Sequence, residues 1–103
     1  MIIVIARFRP LAGRRDELVA LLEEVQAASR RDDGCLHYGY FDEIGDADSF
    51  VAVEEWRDME ALQTHLRQAH VGRLVAAIPE LAQARPDVQA HEVANTVALS
   101  PRG

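Results

Sequence analysis

The opening stretch Ile2-Ile3-Val4-Ile5-Ala6-Arg7-Phe8 constrains this chain more than any other, because six of its seven positions are apolar and no alternation separates an inner face from an outer one. A β-branched run of that length reads as a strand, and a strand apolar on both faces has to be covered on both. Any fold for the chain must therefore supply cover twice.

The following segments supply it once. Pro10-Leu11-Ala12-Gly13 breaks the strand, and Leu18, Leu21, Leu22, Val25 and Ala28 then recur at helical spacing, which predicts a helix over residues 14–31. Asp16 and Glu17 in its first turn and Arg30-Arg31 in its last suit the helix dipole. Gly34 stands where a left-handed residue can end such a helix. Residues 35–42 read as a second strand, with Leu36, Tyr38 and Tyr40 on one face and Cys35, His37, Gly39 and Phe41 on the other. The acidic stretch 42–48 is expected to be a solvated hairpin turn, since it lacks the terminal Glu of a calcium loop. A third strand follows at 49–57, with Phe50, Ala52, Glu54 and Trp56 facing one way and Val51, Val53, Glu55 and Arg57 the other.

Asp58 is an expected N-cap. It opens a helical region that runs to about residue 84, with a break expected near Gly72 or Pro79. A last strand over 87–99 precedes a polar tail, Ser100-Pro101-Arg102-Gly103. The order is β-α-β-β-α-β: an α+β, ferredoxin-like protomer with one antiparallel sheet and both helices on one face. Leaving Ile, Val and Phe side chains bare on the other face would forgo ~1.5–3 kcal/mol each. A second subunit is the expected cover, so the chain should form a homodimer packed sheet to sheet.

Composition narrows the functional classes. At 103 residues the chain is one domain (1–103, with its core at about 2–99). A net charge of −6 argues against nucleic acid as a partner, because such binding depends on neutralising phosphates. No apolar run approaches the ~20 residues of a membrane span, so no membrane partner is expected. The opening apolar stretch has no basic leader and meets Arg7 early, which does not fit a signal peptide. The single Cys35 excludes an intrachain disulfide and a cysteine-based zinc site and fits a reducing cytoplasm, the expected compartment.

The segment Glu54-Glu55-Trp56-Arg57-Asp58-Met59-Glu60-Ala61-Leu62-Gln63-Thr64-His65 concentrates the chemistry. It places a carboxylate and an indole on one strand face, then a histidine beside the apolar stripe formed by Ala61, Leu62, Leu66 and Ala69. A cavity between sheet and helix is expected, lined by Tyr38, Glu54, Trp56 and His65 with Phe50 and Leu62 around it. Apolar walls with a few convergent polar groups suit a small aromatic ligand. Each residue also has a structural explanation: Trp56 and Tyr38 as core, His65 as the rim of a helix stripe. Glu54 could be a buried carboxylate tying strand to helix, because an inward carboxylate needs a hydrogen-bond partner. His37 falls on the opposite strand face, and His91 on the last strand is placed to meet the partner subunit. His65 and His70, five apart on a continuous helix, would point ~140° away from each other. With no third ligand evident, no metal site is expected. No Gly-rich phosphate loop, dinucleotide fingerprint or serine-nucleophile elbow is present, and no cofactor is expected.

The run Gly34-Cys35-Leu36-His37-Tyr38, then Glu54-x-Trp56, then Ala61-Leu62-x-x-His65 and His70 closely resembles the antibiotic biosynthesis monooxygenase (ABM) domain family, as do the opening strand, Gly13 before a helix and Arg30 near its end. The resemblance covers residues 1 to about 80. It departs at Gln68-Ala69, where the family often has a small residue and proline before the second histidine. What it implies is a dimeric α+β barrel of ferredoxin-like protomers. The family includes cofactor-free monooxygenases of anthrones and quinols, haem-degrading enzymes, isomerases of small signalling sugars and members without known function. The haem-degrading branch pairs an Asn on the first strand with a Trp and a histidine, and Val4-Ile5-Ala6-Arg7-Phe8 contains no Asn.

The leading expectation is a cofactor-independent monooxygenase that oxidises a small quinol- or anthrone-type aromatic with O2. His65 would be base or proton relay, and Tyr38 and Trp56 hydrogen-bond donors or stacking walls with Glu54 orienting one of them, while Phe50 and Leu62 make apolar contacts. Alternatives are a non-catalytic small-molecule-binding dimer, an isomerase using His65 and Glu54, or the haem-degrading branch.

Overall fold

The structure is a computed structural model and describes residues 1–100. Its elements are β1 (Ile2–Phe8), α1 (Arg15–Ser29), β2 (Cys35–Glu43), β3 (Asp46–Trp56), α2 (Met59–Leu66), α3 (Ala69–Leu81) and β4 (Asp87–Glu92). The strands form one antiparallel sheet in the order β2-β3-β1-β4. This is the expected α+β, ferredoxin-like arrangement, with the second helical region divided in two.

The two strands that are apolar on both faces, β1 and β3, take the centre, where they lie between neighbours. Their register runs from Ile2 opposite Trp56 to Phe8 opposite Phe50. Ile2, Val4, Ala6 and Phe8 therefore lie beside Trp56, Glu54, Ala52 and Phe50 on one face, and all eight are buried. Leu18, Leu22 and Val25 of α1, Ala61 and Leu62 of α2 and Leu81 of α3 cover them. The alternate residues Ile3, Ile5, Val51 and Val53 line the uncovered face and are only half-buried.

Three boundaries differ from the sequence reading for a clear local reason. The helical region breaks at Arg67-Gln68 rather than at Gly72 or Pro79: α2 ends at Leu66, and Gln68 is extended before α3 begins. Pro79 is accommodated inside α3, near its C-terminal end. β3 starts at Asp46, because a two-residue turn at Ile44-Gly45 (φ +88° at Gly45) pairs Glu43 directly with Asp46. β4 stops at Glu92, not 99, since its partner β1 runs out: Ile2 is opposite Glu92, and the Val93 amide closes on the Met1 carbonyl. Val97 and Leu99 are consequently exposed. Of the expected polar tail, Pro101, Arg102 and Gly103 lie outside the described residues.

Within β2 a bulge at Leu36 separates the pairs Cys35–Trp56 and His37–Glu55. The extra residue turns Leu36 outward, 59% exposed, and Cys35 packs toward the core instead. Leu36 therefore does not share the Tyr38–Tyr40 face as expected. No described helix is long and apolar enough to cross a membrane.

Candidate active site

β2 is an edge strand, yet its outer edge is not free opposite the site. Arg30 Nε donates to the Tyr38 carbonyl at 2.9 Å, and the Tyr40 amide donates to Gln26 Oε1 at 3.0 Å. These two side chains of α1 and its C-cap hold the stretch of β2 that aims Tyr38 and Tyr40 under the helices. Their hydroxyls meet at 2.8 Å. One must donate to the other, which leaves the acceptor's own hydrogen for a ligand.

Tyr38 pairs across the sheet with Glu54. Glu54 Oε1 accepts from the Trp56 indole at 2.9 Å and lies 4.0 Å from His65 Nε2. The Trp56 and His65 rings lie over each other with centroids 4.3 Å apart, and Trp56 is wholly buried. On the other side of His65, Nδ1 is 2.7 Å from Asp32 Oδ2, and the same oxygen lies 2.9 Å from His70 Nε2. A carboxylate only accepts, so both facing nitrogens carry hydrogen. This assigns His65 the tautomer with a free lone pair on Nε2, the nitrogen nearer Glu54.

Local folding explains the convergence. Asp58 accepts the Ala61 amide at 2.9 Å and starts α2, which brings His65 to its last turn. Gly34, five residues beyond α1, does not cap that helix directly. It turns the chain at φ +81° where a Cβ would come within 2.5 Å of the Ala61 Cβ. Only glycine permits so close an approach. The approach presses the turn carrying Asp32 against α2, and the Arg57 amide ties it to the Gly34 carbonyl at 2.8 Å.

A cavity of about 230 Å³ opens between the sheet and α3. Tyr38, Tyr40, Glu54 and His65 form its polar lining. Its remaining walls are Leu66, Val71, Leu74, Val75 and Ile78 from the helices and Ala6, Phe8, Ala52, Pro86 and Val88 from the sheet side. Trp56, Phe50 and Leu62 do not line it, contrary to expectation. Trp56 sits beneath His65 and acts on the site through Glu54. Leu62 is packed in the core one helical turn before Leu66, which does reach the cavity. Phe50 lies toward α1, with the Arg15 guanidinium 5.1 Å from its ring. His37 and His91 are exposed on the uncovered side of the sheet, opposite Glu55 and Ile3 respectively.

Burial sets the protonation of the lining. It raises the Glu54 carboxyl to about 7 against the lowering effect of the Trp56 bond. It pushes Tyr38 up to about 12, with Glu54 adding to the rise, and pushes Tyr40 up further in direction. Both phenols therefore remain neutral donors. His65 falls below the ordinary imidazole value because burial outweighs its bond to Asp32. A neutral imidazole beside neutral phenols can accept a proton and stabilise the anion that results.

Sequence reasoning did not identify Asp32, placed Tyr40 on the face of Tyr38 without giving it a site role, and weighed His70 as a metal ligand only to set it aside. It set the two histidines ~140° apart on one helix and saw no third ligand. The break at Arg67-Gln68 overturns that geometry: Asp32 Oδ2, His65 Nδ1 and His70 Nε2 lie within 4.8 Å of one another. The departure from family pattern at Gln68-Ala69 falls on the break itself and was the available signal.

The model of the antibiotic biosynthesis monooxygenase family matches residues 1–77, three quarters of the chain. The chain belongs to this family. Among its ABM relatives, YcnE of Bacillus subtilis is 31% identical over 88 residues, covering 85% of this chain and 93% of that protein. Rv0793 of Mycobacterium tuberculosis is 36% identical over 78 residues, covering 76% of each. Both carry a provisional assignment as monooxygenases. A crystal structure from Deinococcus radiodurans, provisionally assigned as an ABM enzyme, superposes with a TM-score of 0.91 at 25% identity, covering 97% of this chain and 99% of that one.

Proposed function

We propose that this ABM domain is a cofactor-independent monooxygenase that oxidises a small quinol- or anthrone-type aromatic with O2. The observation that carries the reading is the fixing of His65: Asp32 occupies Nδ1, so the lone pair of Nε2 stays on the side of the apolar cavity, next to Glu54. His65 takes a proton from the acidic C–H or O–H of the substrate. Hydrogen bonds from the Tyr38–Tyr40 pair stabilise the oxyanion, and Glu54 with Trp56 beneath it holds the imidazole side of the pocket. The electron-rich carbanion or phenolate reduces O2 and forms a C–O bond to it. The resulting hydroperoxide loses water, so one oxygen atom ends in the new carbonyl and the other in H2O. The substrate supplies both electrons, and no metal or flavin is needed for this balance. The apolar walls exclude water from the anion.

Oxygen uptake with anthrone and with substituted hydroquinones tests the reading. Wild type should consume one O2 per quinone formed and His65→Ala should lose the activity; no uptake with any such substrate would overturn it. An isomerase using the neighbouring Glu54 and His65 would instead turn over without oxygen, so anaerobic activity separates the two.

The same reading includes a second copy of the chain against the uncovered sheet face, where Ile3, Ile5, Val51 and Val53 stand half-buried. It places the protein in the cytoplasm, where a lone thiol such as Cys35 stays reduced. Light scattering should give twice the monomer mass, and an arginine at Val53 should return it to the monomer.

A further inference from the structure

Asp32, His65 and His70 form a cluster in which the oxygenase reading uses only one contact. We infer that they bind one divalent first-row transition ion, with Asp32 Oδ2, His65 Nδ1 and His70 Nε2 as its protein ligands. Nothing in the oxygenase reading requires this site, and the site does not depend on that reading.

The donor set is the first support. Two imidazoles and one carboxylate suit zinc and its neighbours, and three protein ligands leave a position for water. Distances are the second. Oδ2 is 2.7 Å from one ring nitrogen and 2.9 Å from the other, and all three atoms fall within 4.8 Å. Donors held ~2.1 Å from a common ion are about 3.4 Å apart at the tetrahedral angle and never more than ~4.2 Å. To admit the ion the carboxylate has to retreat by roughly half an ångström from each ring, and the two ring nitrogens, within 4.8 Å of each other, have to settle at about 3.4 Å.

Placement is the third support. Asp32 stands on the turn locked by Gly34, His65 on the last turn of α2 and His70 on the first turn of α3. The break between those helices brings the two rings together before any ion arrives. The Glu54 carboxyl provides the fourth: it lies 4.0 Å from His65 Nε2, beyond hydrogen-bond reach in the metal-free site, and would have to close on the N–H that loading places there. Metal-bound imidazoles are commonly steadied by a carboxylate on the far nitrogen, which fixes the tautomer. Access is also available: the side chains of His70 and Asp32 are 12% and 14% exposed, while His65 closes the inner side at 3%.

Binding requires a change of tautomer. The hydrogen on His65 Nδ1 moves to Nε2 and that on His70 Nε2 moves to Nδ1, so both rings stay neutral. A loaded His65 then presents an N–H toward Glu54 and the cavity instead of a lone pair. The ion and the use of His65 as a base exclude each other, so metal loading should silence the oxygenase.

Titration of the metal-free full chain with zinc(II), followed by calorimetry, and with cobalt(II), followed by visible absorption, tests the site. One ion per chain is expected, with cobalt bands of a four- or five-coordinate centre. His70→Ala and Asp32→Asn should each weaken binding at least tenfold. In case a variant fails to fold, nitrogen-15 spectra of the wild-type histidines give an independent reading: zinc should move His65 Nδ1 and His70 Nε2 most. No stoichiometric binding, binding unchanged in both folded variants, or shifts confined to His37 and His91 would overturn the inference. Oxygen uptake of the metal-free protein is read separately, so a missing metal site and a missing oxygenase activity are told apart.

Discussion

The sheet face under the helices has two halves that are built differently. One half packs Ala6, Phe8, Leu18, Leu22, Phe50, Ala52 and Leu81 into an apolar cluster. The other packs Ile2, Val4, Val25, Tyr38, Trp56, Ala61 and Leu62 around the buried Glu54 and His65. Buried polar groups cost stability unless they are bonded, and a carboxyl near an apolar cavity is only partly compensated. The apolar half therefore holds the fold, and the polar half sacrifices some of that stability to arrange titratable groups. Four substitutions can break or sharpen this contrast.

The largest effect belongs to the apolar half. Leu18 is fully buried, so Leu18→Ala should remove about 2–5 kcal/mol of stability in urea denaturation, while kcat/KM well below the melting temperature changes little. Next comes Glu54. A carboxyl raised from 4.5 to about 7 in the folded chain binds more protons folded than unfolded between those values. The contribution of Glu54 to stability is then fully present below pH 4.5 and is lost as pH rises through 7, by on the order of 3 kcal/mol. Glu54→Gln should abolish that slope, and an unchanged slope in the variant would assign it to another group.

Gly34→Ala is expected to cost about 1–3 kcal/mol, from the positive φ and the clash with Ala61. Unlike Leu18→Ala, it should also reduce catalysis, because the strained turn carries Asp32. The smallest electrostatic effect is at Trp56. Trp56→Phe removes the buried hydrogen bond to Glu54, worth about 1 kcal/mol apart from the cost of a smaller ring in a fully buried site, and should raise the Glu54 pKa further, since that bond holds it down. Infrared titration of the carboxyl band checks the direction.

The two halves also differ in how far the sequence revealed them. Most of the apolar half was readable: β1 is a nearly continuous apolar run, β3 carries Phe50-Val51-Ala52-Val53 and the α1 stripe repeats at helical spacing, although Phe50 was assigned to a cavity it does not line. In the polar half, Glu54, Trp56 and His65 stood out because they interrupt those patterns. The rest depended on irregularities that periodicity does not encode. The Leu36 bulge inverts the expected face of two residues, and the break at Arg67-Gln68 redirects His70. Asp32 lies in a turn among other charged residues, and its proximity to His65 follows from Gly34 against Ala61, a contact between positions 27 apart. Trp56 was read as cavity wall because strand alternation gives a face but not a depth.

The side chains that hold β2 to α1 bear on what the sheet can add. Arg30 and Gln26 occupy the outward carbonyl of Tyr38 and amide of Tyr40, where a stray strand would otherwise dock. β4 is the other edge strand, exposed at all six residues, and among the described residues no strand pairs with its outer side. With the middle of the β2 edge occupied, strand addition is directed to β4, and a sheet that offers one edge more readily than the other favours a single edge-to-edge pairing over a growing polymer.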